Sequence, residues 1–111
     1  MTISEKIKHA LDIDGVAILP PMDVFESIAI LKEADICVNC TMLDPWYNKG
    51  FGGELPTSEY DNFITRLLNQ TGEISDLMYL WGFPEIIGPY VRYAPSGFYM
   101  AAWLTWYYKN C

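Results

Sequence analysis

The sequence predicts an α+β protein: a single compact domain spanning 1–111, with three to five helices packed on a small sheet and an aromatic-rich C-terminal element in its core. Three observations lead there. Apolar residues recur at helical spacing in three separate stretches. Short extended-looking runs lie between and beside them, and no linker, repeat or low-complexity segment divides the chain.

Thr2 and Glu5 have capping-box spacing, and Ile3, Ile7, Ala10 and Leu11 share one face, so a first helix is expected over 3–11. Asp14-Gly15 ends it. Val16 to Leu19 reads as a short buried strand stopped by Pro20-Pro21. Asp23 is placed to cap a second helix reaching Ala34, with Val24, Ile28 and Leu31 inward and Glu26 and Glu33 outward. Ile36 to Met42 alternates loosely and predicts a second strand.

A glycine-rich connection, 44–56, leads to the clearest helix. Thr57 or Ser58 would cap it; Tyr60, Phe63, Ile64, Leu67 and Leu68 form its stripe, and Gly72 stops it. Ser75 is read as the cap of a short helix through Trp81, and Tyr90 to Tyr93 as a strand among breakers such as Gly82, Pro84 and Pro95. Residues 97–109 read either as a helix capped by Ser96 or as a central strand. The helix is preferred because Met100, Ala101, Ala102 and Leu104 are good helix formers. In either form this run is expected to be mostly buried.

Hydrophobic residues make up 51% of the chain and charged residues 19%, below the ~25% usual for soluble domains, which excludes disorder. Fourteen acids against seven bases leave a formal charge of -7, unevenly placed. Residues 1–76 carry a net of -8 and residues 77–111 a net of +1, whereas 11 of the 17 aromatics lie in 77–111. Scattered bases argue against direct nucleic-acid binding and against an anionic membrane surface. The acidity suits a protein partner with a basic surface, such as a nuclease or effector complex. With no basic leader and no apolar run near the ~20 residues of a membrane span, the expected location is the cytoplasm, that of the host if the chain is phage-encoded.

Cys37 and Cys40 have the spacing of a redox or zinc half-site, but only Cys111 and His9 remain as further ligands, so neither a metal nor another cofactor is expected. The one histidine falls opposite the apolar stripe of its helix, and the carboxylate pairs Asp12 with Asp14 and Glu33 with Asp35 sit in no catalytic motif, so no catalytic residue is assigned. Lys49 to Gly53 lacks the ending of a phosphate-binding loop. Leu55-Pro56 with Tyr60, Phe63 and Asn69 resembles the Leu-Pro, Tyr, Phe and Asn-Gly pattern of the SMI1/KNR4-type immunity superfamily, without the paired glycines after the Asn; nothing is carried over from it.

Two classes of function follow. The preferred one is a non-enzymatic inhibitor that occludes a basic protein partner, in the manner of a phage anti-defence protein, an anti-CRISPR or a toxin-immunity protein. Its contact residues would be Glu26, Glu33, Glu54, Glu59 and Asp61, with Trp46, Tyr47 and Phe51 either as aromatic anchors or folded back on the core. The alternative is a small-molecule-binding protein or small enzyme using Arg92, Tyr93 and Tyr99. Self-association as a homodimer is open to both, because the aromatic content is more than one small domain readily hides.

Overall fold

A computed structural model describes residues 1–49 and 53–107. Four helices and a two-stranded sheet occur in the order α1 (Ile3–Asp14), α2 (Val24–Glu33), β1 (Val38–Leu43), α3 (Thr57–Gly72), β2 (Ser75–Leu80) and α4 (Pro84–Ile87), followed by a 3-10 turn over Gly88–Tyr93. The α+β class holds. At the centre is a β-α-β unit, in which β1 and β2 run parallel from Val38 beside Ser75 to Leu43 beside Leu80, and α3 is the crossover that parallel pairing requires.

The local signals at the first two helices are realised as hydrogen bonds. The Thr2 hydroxyl accepts from Glu5 N at 3.1 Å while the Glu5 carboxylate accepts from Thr2 N at 2.8 Å, and Gly15 closes α1 in the left-handed region at φ 71°. Asp23 Oδ2 accepts from Phe25 N and Glu26 N at the start of α2. At the end of α2, Asp35 takes φ 54°, its N–H donates to Lys32 O, and Ile36 N donates to Leu31 O. That is a Schellman closure with aspartate where glycine is the usual residue.

The core is built by α3. Tyr60, Ile64, Leu67 and Leu68 are buried along one face, and Phe63 is half-buried beside them. Tyr60, Ile64 and Leu68 pack with Tyr90, Leu43, Trp46 and Leu80, while Leu67 packs with Ile28 of α2 and Ile74. Thr71 lies on the same buried side, and its Oγ1 has no hydrogen-bond partner among the described residues. A buried hydroxyl without a partner costs about 1–3 kcal/mol. Thr71→Val keeps the shape and removes that cost, so it is expected to raise stability by about 1 kcal/mol, read as a higher urea midpoint at unchanged slope. A lower midpoint would show that the hydroxyl has found a partner.

Five expectations are corrected. Val16 to Leu19 forms no strand: nothing among the described residues pairs with it, and Val16 and Ile18 are 61% and 90% exposed. Ser75 to Leu80 is a strand rather than a capped helix, because pairing with β1 outweighs the helix preference of its leucines and methionine. Tyr90 to Tyr93 belongs to the 3-10 turn, since Pro89 fixes a helical φ at its start. Neither Thr57 nor Ser58 caps α3; Pro56 occupies that position and its carbonyl accepts from Glu59 N and Tyr60 N.

The fifth correction concerns the C-terminus. Over 97–107 the described chain is neither helix nor strand, and it is not buried: Tyr99, Leu104, Trp106 and Tyr107 are exposed. Among the described aromatic residues of the C-terminal third, Tyr90 is the one that is buried in the core. The Cα radius of gyration is 15.7 Å, against ~13 Å for a compact chain of about 100 residues, as a chain end lying outside the core requires.

Candidate functional site

The connection between β1 and α3 is tied down at both described ends. Asn48, in the left-handed region at φ 62°, donates from Nδ2 to Leu55 O at 3.0 Å and accepts from Leu55 N on Oδ1 at 2.7 Å, so one side chain imitates a strand partner and closes the loop. Trp46 folds back on the core: its ring meets Tyr60 edge-on at 5.7 Å, its carbonyl accepts from the Tyr60 hydroxyl at 2.6 Å, and its indole N–H donates to Lys49 O. Tyr47 bonds to Asp44 and stacks edge-on against Phe83 at 5.4 Å. Lys49 lies 5.2 Å from the centre of the same Phe83 ring and 3.9 Å from Glu85.

Beneath this loop is an open cleft of about 270 Å³, lined by Tyr47, Lys49, Glu54 and Asp61 together with Glu85 and Tyr90. At its floor the Tyr90 hydroxyl donates to Asp61 Oδ1 at 2.6 Å. Burial pushes the Tyr90 phenol well above the ordinary tyrosine value, and the bond to Asp61 and that carboxylate's charge push it further. Burial raises the Tyr60 phenol in the same way. Both therefore remain neutral hydrogen-bond donors at neutral pH and are unsuited to act as bases.

The structure thus brings Tyr47, Glu54 and Asp61 to one cleft and leaves Glu26 and Glu33 on α2. Glu26, Glu33, Glu54 and Glu59 are all exposed, whereas Asp61 is half-buried and engaged with Tyr90. Phe51 lies outside the described residues. Glu26 and Glu59 stand in the first turns of α2 and α3, where an acid also stabilises its own helix through the macrodipole. Their presence has a local explanation.

Other acids have none. Asp12 and Asp14 lie in the last turn of α1, Glu33 is the last residue of α2, and Asp35 follows in its left-handed closure; all four are exposed. A helix C-terminus disfavours negative charge by roughly 0.3–1 kcal/mol, and the left-handed backbone at Asp35 suits glycine best, with aspartate among the better tolerated of the other residues. The ion pairs among the described residues are Lys32 with Glu73 and Lys49 with Glu85, so none of these four acids takes part in one there. Asp35 was the least visible of them in sequence. Its signal is a helix that stops with no Gly or Asn at the closing position.

Cys37 and Cys40 are exposed thiols flanking the start of β1, and among the described residues no group of three His, Cys, Asp or Glu side chains is arranged to hold a metal ion. Arg92 and Tyr93 share a shallow cleft of about 370 Å³ with Gly88 and Pro89; Tyr99, 83% exposed, does not line it. No helix among the described residues is long and apolar enough to cross a membrane. No known protein family, curated protein or solved structure matches the chain.

Proposed function

We propose that this protein binds a protein partner through that partner's basic surface and inhibits it by occlusion, its own acidic face standing in for an anionic ligand. One observation carries the reading: Asp12, Asp14, Glu33 and Asp35 are exposed, outside the ion pairs of the described residues, and placed at helix C-termini, where the helix dipole disfavours negative charge. Charges that cost the fold stability are retained when binding uses them. Trp46 and Tyr47 hold the loop to Tyr60 and Phe83, so in this reading they shape the cleft, while Glu54 and the α2 acids meet the partner. A partner of this kind is a nuclease or effector complex, as for an anti-defence or immunity protein, and the cytoplasm is the compartment in which it would be met.

The test opposes stability to binding. Asp12→Lys, Glu33→Lys and Asp35→Asn are each expected to leave the fold unchanged or to stabilise it by about 0.3–1 kcal/mol. Together they should abolish salt-sensitive capture of a protein partner from native cytosol by the immobilised chain. If the triple variant still captures the same partner at low salt, the electrostatic reading is wrong.

A further inference from the structure

A two-stranded parallel sheet with a bare face is an unusual object, because parallel sheets ordinarily have both faces covered. In this chain α3 and the core cover one face, through Leu43 and Leu80. On the other face the register sets Cys40 beside Leu77 and Met42 beside Tyr79, and alternation carries the row on to Trp81. Met42 is 63% exposed, Leu77 44%, Tyr79 39% and Trp81 39%. Trp106, from the exposed C-terminal segment, extends the same surface by stacking on Trp81 at 6.2 Å between ring centres. At the start of the strands the same face is covered, Ser75 being buried and Val38 half-buried, and Trp106 lies against Trp81; the row from Cys40 and Leu77 to Met42 and Tyr79 is left open among the described residues.

We infer that a second copy of the chain covers it, giving a two-fold dimer in which the two bare sheet faces and the segments around Trp106 pack together. Two arguments select a second copy. The first is area. The chain exposes 8387 Å², whereas a folded monomer of 12.7 kDa is expected to expose ~6,200 Å². The surplus of roughly 2,000 Å², which is that of the whole chain with its C-terminal segment, exceeds the ~800 Å² per partner that a standard stable interface buries. Exposed aliphatic and aromatic side chains on this face and the adjoining segment contribute to it.

The second argument is charge. A two-fold contact sets a patch against its own copy, so any net charge on it would meet like charge. In a chain of net charge -7 this row carries no acid and no base at positions 40, 42, 77, 79 and 81. A basic partner has nothing to pair with there, whereas a second copy meets no opposing charge. This surface is distinct from the acids at the ends of α1 and α2, so the inference does not rest on the proposed function.

The experiment is sedimentation velocity on the full chain across micromolar concentrations, at low and high salt. The expected result is a species of about twice 12.7 kDa whose formation is strengthened by salt, because screening relieves the repulsion between two chains of charge -7. Capture of a basic partner would have the opposite salt dependence, so the two readings fail separately. Leu77→Glu and Tyr79→Glu, both at solvent-facing positions, should weaken the dimer at least ~30-fold with an unchanged circular dichroism spectrum. Ile18→Glu, at a 90% exposed apolar site elsewhere, should leave it intact.

Thiol labelling of the unmodified chain gives a readout that needs no variant. Labelling of Cys40, on the face, should slow relative to Cys37 as concentration rises through the dimerisation range. A monomer at every concentration and salt, a dimer that survives Tyr79→Glu in a folded chain, or equal labelling of the two cysteines throughout would each overturn the inference.

Discussion

Replacing Ile64 with alanine is expected to cost about 2–5 kcal/mol, the range for removing a large aliphatic side chain from a packed core. Ile64 has zero exposure and sits between Tyr60, Leu68 and Tyr90, three side chains that bring the crossover helix, the loop over it and the turn after α4 to one point. Neither ring can swing into the void without giving up its hydroxyl bond, Tyr60 to the Trp46 carbonyl and Tyr90 to Asp61. Collapse around the deletion is therefore restricted, which places the cost in the upper half of the range. Small domains have about 5–15 kcal/mol in total, so the variant should lose a large part of its urea midpoint, followed by circular dichroism and tryptophan fluorescence. Ile64→Val should cost about 0.5–1.5 kcal/mol. Equal effects from the two variants would mean that the site is not tightly packed.

The second large effect is expected at Tyr90. Tyr90→Phe removes the hydroxyl that donates to Asp61 at 2.6 Å and leaves the carboxylate without that donor. Hydrogen bonds to charged groups contribute about 1.5–3 kcal/mol, and because Asp61 is half-buried and can rehydrate, about 1.5 kcal/mol is expected at neutral pH. The pH dependence has a definite sign. The folded-state value of the Tyr90 phenol is raised above the ~10 of an unfolded chain, so above that pH the unfolded state releases its proton first. The contribution is fully present below about pH 10 and is lost as pH rises from there toward the folded value. Stability of the unmodified chain should accordingly fall on the alkaline side, and the fall should be shallower in Tyr90→Phe. Parallel alkaline limbs in the two proteins would show that this phenol is not the titrating group.

The parts of the fold that sequence made legible are those whose causes are local. Thr2 with Glu5, Asp23 before α2, and the stripe from Tyr60 to Leu68 each act within one or two helical turns, and each is found where spacing places it. Ser75 to Leu80 reads as helix because its leucines and methionine favour helix, whereas the decisive partner, Val38 to Leu43, lies on the far side of α3. The run 97–109 reads as a buried element for another reason. Apolar composition reports a tendency to leave water but not whether the core has room, and α3 with Tyr90 and Trp46 has already filled it.

The candidate site divides in the same way. Periodicity sufficed to put Glu26 and Glu33 on a solvent face, since exposure on a helix repeats with its turn. Asp61 looks in sequence like one more surface acid; only its distant partner Tyr90 makes it structural. For Trp46 the loop composition allows an interface anchor or a ring folded inward, and the structure packs the ring edge-on against Tyr60.

The parallel pairing of β1 with β2 also sets the order in which the chain can fold. An antiparallel hairpin can zip from a tight turn, but here the residues that pair are separated by the whole of the loop and α3, so closing the ladder costs more loop entropy, and forming α3 first lowers that cost. Contacts within α3 are short-range and quick, and the strands join late. During that interval both strands present unpaired backbone beside an apolar row, and a neighbouring chain's strand can compete with the correct one. Refolding is then a race between an intramolecular closure, whose rate is independent of concentration, and an encounter whose rate is not.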